Sequence, residues 1–314
     1  MQYNELGHTG IKVSQLCFGA LTVGPLQAKL PLYEGAAVIR AALDAGVTFI
    51  DTAELYNTYD YIKAGIGSAS DIVIASKSYA WSYEGMQDSI DNACRQLARD
   101  YIDIFMLHEQ TSRLTMKGHA DALRCLADNK QRGRIRAVGV STHTVEVVRA
   151  AAMASDVDVI HPILNKTGIG IVDGSVADML AAIEFAAAQG KGIYTMKALG
   201  GGHLNRHAEI ALQWILQQSH IASVAVGMRT TDEVTFNTSV FKEQRIDGEL
   251  KKRIAVQSRS LIVEEWCIRC GNCIRKCPMQ ALRLEEGQVR PDREKCILCG
   301  YCGAVCPEFA LKIV

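Results

Sequence analysis

The chain has 314 residues, 34 basic and 34 acidic side chains and 48% hydrophobic residues, with a pI near 7.1. Balanced charge excludes nucleic acid or an anionic membrane surface as the main partner. No apolar run approaches the roughly 18 residues of a membrane span, and the start Met1-Gln2-Tyr3-Asn4-Glu5 lacks the basic and apolar regions of an export signal, so cytoplasmic residence is expected.

A short hairpin opens the chain: Tyr3 to Leu6, a turn at Gly7 to Gly10, then Ile11 to Val13. Eight short apolar runs follow and read as strands: Gln15 to Phe18, Thr48 to Asp51, Ile72 to Ser76, Ile102 to Leu107, Ile135 to Val140, Val157 to Pro162, Gly192 to Met196 and Ser223 to Val226. Between them lie amphipathic or alanine-rich helical stretches, among them Tyr33 to Ala45, Tyr83 to Ala98, His119 to Lys130, Val145 to Ala154, Val176 to Ala188 and His207 to Gln217. Strand-helix alternation predicts a parallel sheet with right-handed crossovers. Eight units in about 240 residues suit a closed (β/α)8 TIM barrel, an α/β fold. An open doubly wound sheet is the alternative, but it would show Gly-x-Gly-x-x-Gly after its first strand; here Gly19-Ala20-Leu21-Thr22 follows. The barrel is expected over residues 1–245, a charged linker helix over 246–260 and a small C-terminal domain over 261–314.

Eight of the 11 cysteines fall in that last domain, in two copies of one spacing. The runs are Cys267-x2-Cys270-x2-Cys273-x3-Cys277-Pro278 and Cys296-x2-Cys299-x2-Cys302-x3-Cys306-Pro307. Structural zinc takes two separated cysteine pairs rather than three at this spacing plus a fourth, and a disulfide framework would imply a secreted mini-domain. The spacing points to two [4Fe-4S] clusters. It resembles bacterial-type two-cluster ferredoxins, in which the fourth cysteine of each run ligates the other cluster. The resemblance implies Cys267, Cys270, Cys273 and Cys306 for one cluster and Cys296, Cys299, Cys302 and Cys277 for the other. Cys17, Cys94 and Cys125 lie in apolar surroundings and are expected to be small core residues.

In a parallel barrel, chemistry sits at the carboxyl ends of the strands. Asp51 stands after the second strand, Tyr56 in the loop beyond it, Lys77 after the third and His108 after the fourth. The segments Phe49-Ile50-Asp51-Thr52-Ala53-Glu54-Leu55-Tyr56, Ile74-Ala75-Ser76-Lys77 and Phe105-Met106-Leu107-His108 resemble those that carry the catalytic tetrad of the aldo-keto reductase superfamily, from about Leu6 to Phe241. The resemblance implies reduction of an aldehyde or ketone, or the reverse, by hydride transfer with NADP or NAD. Tyr56 would donate the proton, Lys77 would lower the pKa of its phenol, Asp51 would hold Lys77, and His108 would orient the carbonyl. Val138 to His143 resembles that family's nicotinamide contacts, with Ser141 and Thr142 as candidates. Gly227, Met228, Arg229, Thr231 and Asn237 resemble its adenine-phosphate contacts, with Arg229 the candidate partner of a 2'-phosphate; the acid at Glu233 departs from the usual pattern and leaves NADP versus NAD open. Asn165, Lys197 and Gly201 are further cofactor candidates, Trp81 a candidate pocket wall, and His143 and His161 are read as ordinary hydrogen-bonded histidines.

Nicotinamide gives electrons in pairs, each cluster passes one, and no flavin signature bridges them. Three readings follow: a reductase whose clusters are structural or dock a ferredoxin, flavodoxin or other redox protein; an enzyme whose clusters feed single electrons to a substrate in the barrel; or a nucleotide-sensing binding module. Because the superfamily's C-terminal tail lies over the barrel mouth and is here replaced by the cluster domain, the clusters are expected near the rim of the site.

Overall fold

The computed structural model describes residues 1–255, 257 and 259–314. A hairpin of β1 (Tyr3–Glu5) and β2 (Lys12–Ser14) precedes eight strands: β3 (Leu16–Gly19), β4 (Phe49–Asp51), β5 (Val73–Ser78), β6 (Ile102–Gln110), β7 (Ile135–Thr142), β8 (Val159–Pro162), β9 (Gly192–Thr195) and β10 (Ser223–Gly227). All are parallel, and β10 pairs with both β9 and β3, which closes the barrel. Side chains on one face of the strands, including Phe49, Ile104, Met106, Val159 and Tyr194, fill the interior, and Leu6, Ile11 and Val13 of the hairpin segment join that cluster. The other face meets the helices in the larger apolar core. Several helices start on a hydroxyl that accepts an N–H three residues on, at Ser82, Ser112, Thr144, Ser175 and Thr230, a cap typically worth about 1 kcal/mol.

All eight predicted strands form, and five of them, β3, β5, β6, β7 and β10, run one to three residues past the expected end. β5 continues through Lys77, paired with Met106, and β6 through His108 to Gln110. Both polar residues therefore lie inside strands rather than after them, because the backbone ladder continues past the point where side-chain hydrophobicity ends. Three further helices, Tyr59–Ile66, Arg113–Gly118 and Thr231–Phe241, are too short or too weakly periodic to announce themselves. Of the linker helix expected over 246–260, Gly248–Ala255 is helical, while residues 256 and 258 lie outside the described residues.

The C-terminal part carries β11 (Leu261–Val263), β12 (Leu282–Glu285), β13 (Gln288–Pro291) and β14 (Leu311–Ile313). β11 pairs antiparallel with β14, and β12 with β13. Leu261, Leu282, Val289, Leu311 and Ile313 form its small core together with Cys273 and Cys302. The duplication is visible in the bonding: the backbone N–H of Ala281 donates to Cys277 Sγ and that of Ala310 to Cys306 Sγ, both at 3.3 Å.

This domain sits on the carboxyl-end mouth of the barrel. Phe309 packs edge-on against His143, with ring centres 5.9 Å apart, and its ring lies against Gly170 and Gly201. A Cβ on Gly202 would stand 1.9 Å from the carbonyl oxygen of Ile313. Gly202 has φ +90, so both space and backbone conformation demand glycine here.

Candidate active site

Asp51, Lys77, Tyr56 and His108 converge at the mouth. Asp51 ends β4 directly beside Ala75 of β5, and Lys77, two residues further along β5, reaches back to it. The Lys77 ammonium donates to both carboxylate oxygens, at 2.8 and 2.9 Å, and to the carbonyl of Thr52 at 2.6 Å. With Lys77 only 1% exposed, this arrangement satisfies a buried cation with three acceptors, the condition under which burial is tolerated. Tyr56 closes the short turn Glu54–Tyr56. Its hydroxyl lies 3.4 Å from His108 Nε2, and the Lys77 ammonium lies 5.1 Å from its ring centre.

The position of His108 has a backbone cause. The register of β6 on β7 slips between Leu107 and Gln110, and Glu109 within that bulge has φ +46. Bulges of this kind re-aim side chains at barrel rims. Ser141 fixes the bulge by accepting the N–H of Glu109 at 2.8 Å, and Thr142 by donating to the carbonyl of Gln110 at 2.7 Å. The Glu109 carboxylate in turn accepts from Tyr79, and the Tyr79 ring stacks on His108 with centres 4.3 Å apart.

Burial and the Lys77 charge hold His108 down to about 3, so its imidazole is neutral at physiological pH. Burial pushes the Tyr56 phenol well above its ordinary value, and the charges of Asp51 and Glu109 push the same way. The lowering expected from Lys77 is thus not what dominates at Tyr56: the ammonium is spent on Asp51. Burial alone would raise the Asp51 carboxyl, but Lys77, His161 and the hydroxyl of Tyr194 outweigh it and hold it below the usual carboxylate range. Tyr194 donates to Asp51 at 2.8 Å, and His161 stacks on Tyr194 with centres 3.8 Å apart.

Burial also holds His161 down to about 4. Unfolded histidine titrates near 6.5, so between those values the unfolded chain binds protons that the folded chain excludes. The stability contributed by neutral His108 and His161 is therefore present above about pH 6.5 and lost as pH falls toward 4 and 3. The urea midpoint is expected to be lower at pH 5 than at pH 7, and less so in His161→Gln; a midpoint indifferent to pH over that interval would contradict the assignment.

One cavity is lined by Asp51, Tyr56 and His161 together with Lys197, Gly201, Gly227, Arg229 and Asn237. A Cβ at Gly227 would stand 1.8 Å from Thr22 Oγ1, so the wall there is kept as bare backbone. Of the sequence-derived cofactor candidates, Lys197, Gly201, Gly227, Arg229 and Asn237 line this cavity, whereas Ser141, Thr142, Asn165, Met228 and Thr231 do not. Asn165 spends its amide on the loop, accepting from the N–H groups of Thr167 and Ile169 and donating to the carbonyl of Ile169; Met228 is fully buried. Trp81 is 69% exposed and is not among the lining residues. Glu233 accepts from the backbone N–H of Arg229 and from the guanidinium of Arg259, both at 2.8 Å, so the unexpected acid is engaged within a cationic end of the cavity. Sequence reasoning missed Tyr194, Glu109, Phe309 and Lys312. Only Glu109, next to His108, carried a sequence signal.

The eight C-terminal cysteines line two small cavities, four at each. Cys267, Cys270, Cys273 and Cys306 surround one small cavity, and Cys277, Cys296, Cys299 and Cys302 another. Four thiols around each space fit a cubane in donor type and number. Among the described residues no three histidine, cysteine or acidic side chains stand at metal-binding spacing. Cys17, Cys94 and Cys125 are buried in the barrel, as expected of core residues. No helix among the described residues is long and apolar enough to cross a membrane.

Fold and site together define a (β/α)8-barrel oxidoreductase carrying a ferredoxin-type domain. The profile of the Aldo/keto reductase family matches residues 15–209, and the chain belongs to that family; a 4Fe-4S dicluster domain profile matches residues 259–307. The family implies NAD(P)H, and the dicluster domain with its eight cysteines implies two [4Fe-4S] clusters. The chain is similar to L-galactose dehydrogenase of Arabidopsis thaliana, 23% identical over 77% of this chain and 89% of that one. It is also similar to 6-dehydroglucose reductase of Novosphingobium aromaticivorans, 29% identical over 47% of this chain and 54% of that one. An aldo-keto reductase of Bacillus halodurans, solved in its holo form, shares the fold with a TM-score of 0.66 at 21% identity, over 81% of this chain and 95% of that one.

Proposed function

We propose that the protein interconverts a carbonyl and an alcohol by hydride transfer with NADPH or NADH, using Tyr56 as proton donor. The observation that carries this reading is the grouping of the Tyr56 hydroxyl, neutral His108 and the Asp51–Lys77 pair, with Asp51 and Tyr56 lining the same cavity as Gly201, Gly227, Arg229 and Asn237. Nicotinamide, when bound, supplies the hydride; reduction then leaves negative charge on the substrate oxygen. A neutral imidazole and a protonated phenol 3.4 Å apart present two donors to that oxygen, one polarising it and one giving up its proton. His108 Nδ1 has no hydrogen-bond partner within the protein, so its tautomer is free to place the N–H on Nε2, toward Tyr56. Loss of the phenol proton would be compensated by the Lys77 ammonium beside the ring. Gly201, Gly227, Arg229 and Asn237 would hold the dinucleotide.

The supporting experiment is anaerobic purification followed by NADPH and NADH oxidation with a panel of aldehydes and ketones. Turnover that survives loss of a cluster in Cys270→Ser keeps the hydride reading; tight NADPH binding with no turnover favours a sensor. A second reading, participation of the clusters in turnover, has one observation behind it: the loop after Cys306 places Phe309 against His143 and Gly201 at the mouth. Loss of turnover in Cys270→Ser with a folded, NADPH-binding barrel would favour it. Docking of a ferredoxin or flavodoxin belongs to the same set of proposals and is tested by reduction of the clusters with such a carrier. The division into a barrel over 1–245, a linker and a cluster domain from 261 is proposed on the same footing.

A further inference from the structure

Lys312 lies on β14, the last strand of the cluster domain, yet it lines the barrel cavity together with Asp51, Tyr56 and Lys197. It is 5% exposed. Its stem crosses Gly201, where a Cβ would meet Lys312 Cδ at 3.1 Å. Its ammonium sits 3.2 Å from the centre of the Phe309 ring and donates to the carbonyl of Phe309. Lys197 reaches the same ring from the barrel, with its ammonium 4.8 Å from the centre. Lys197 has φ +59, an uncommon conformation for a side chain other than glycine and one that concentrates at functional sites.

Two ammonium groups on one aromatic ring in a sheltered cavity repel each other, and a ring face compensates only part of their lost hydration. Glu109 and Glu264 lie in the neighbourhood and favour the charged lysines. Neither closes an ion pair within 4 Å of them: among the described residues the ion pairs include no partner for Lys197 or Lys312, and Glu109 is taken by Tyr79 and approached by His143 at 3.7 Å. Burial lowers both lysines from their ordinary value; the Lys197 charge lowers Lys312 further, and the Lys77 charge lowers Lys197. What this pair lacks is an anion.

We propose that Lys312 and Lys197 form a binding site for the anionic group, carboxylate or phosphate, of a substrate whose carbonyl lies at Tyr56. The cluster domain then contributes directly to the specificity of the barrel. The proposal rests on the carbonyl-reductase reading for the placement of the substrate, but not for the existence of the anion site.

The test has two arms. In the first, oxalate binding to the cofactor-free holoprotein, clusters loaded, is measured by calorimetry for wild type, Lys312→Met and Lys312→Arg. Loss of a charge-assisted hydrogen bond costs about tenfold to a hundredfold in affinity, so Lys312→Met is expected to weaken oxalate by that factor and Lys312→Arg to retain most of it. In the second, kcat/KM is compared within matched pairs, 4-oxobutanoate against butanal and glyceraldehyde 3-phosphate against glyceraldehyde. Wild type is expected to favour one anionic member by tenfold or more, and Lys312→Met to lose that ratio; which pair responds tells carboxylate from phosphate. No oxalate binding in wild type overturns the proposal, as does a substrate ratio untouched by Lys312→Met. A raised NADPH Kd with an unchanged ratio would assign the pair to the dinucleotide, and an altered cluster EPR signal with unchanged oxalate binding would assign Lys312 to the cluster; either overturns it. Lys312-dependent oxalate binding with no turnover of any carbonyl leaves the anion site standing and removes the reductase reading instead.

Discussion

Tyr56→Phe is expected to lower kcat by about two to four orders of magnitude while KM changes little, since a positioned general acid typically contributes that factor. The substitution removes one oxygen whose partner within the protein is His108 at 3.4 Å, so the fold should not register the change. The ring itself, beside the Lys77 ammonium at 5.1 Å from its centre, is preserved. Because burial raises the Tyr56 phenol and His108 is held down to about 3, both keep their working protonation state across the neutral range. The wild-type rate should therefore be flat from about pH 6 to 8 with no imidazole step near 6.5. Single-turnover NADPH oxidation by Tyr56→Phe within threefold of wild type, with the same NADPH Kd, would remove Tyr56 from the chemistry.

Paired cysteine substitutions are expected to show which thiols share a cluster. Cys306→Ser should remove the cluster held with Cys267, Cys270 and Cys273, leaving about half of the roughly eight irons of the loaded chain. Adding Cys270→Ser to Cys306→Ser should then cost no further iron, because both changes fall on one site. Cys302→Ser together with Cys306→Ser should remove both clusters, although the two residues sit in the same run. Uncrossed ligation predicts the reverse for each double variant, so iron content and EPR spin count decide between them. The larger cost is expected in the domain itself: its core is a handful of residues, Leu261, Leu282, Val289, Leu311 and Ile313, around the cysteines. For so small a core, cluster binding is a large part of folding energy.

The barrel was legible in the sequence because eight buried strands of a parallel sheet must each be an apolar run, and helical stretches separate them in regular alternation. The meeting of Asp51, Tyr56, Lys77 and His108 was foreseeable only from the resemblance of the three segments that carry them, since each residue alone has an ordinary structural use, such as a helix cap for Asp51. What escaped was whatever depends on backbone irregularity or long-range contact. The β6 bulge that turns His108 to face Tyr56 leaves no mark in side-chain pattern, so Ser141 and Thr142, which brace it, read as ligand contacts. Tyr194 looks like one more aromatic in a strand, yet it bonds Asp51 across 143 residues of chain. Lys312 looks like a solvated charge in a terminal strand, and no local pattern could place it beside Lys197.

The pairing of β11 with β14 means that the cluster domain leaves and regains the barrel at one place: Ser260 and Val314 exchange backbone hydrogen bonds in both directions, at 2.8 and 3.0 Å. The domain is thus a closed loop stitched to the rim rather than a bead on a string. Cutting the gene at residue 260 would not liberate a simpler enzyme. It would strip Lys312, Ile313 and Val314 from the wall of the cavity, and the barrel so exposed would be a different vessel, open on the side that these three residues now line.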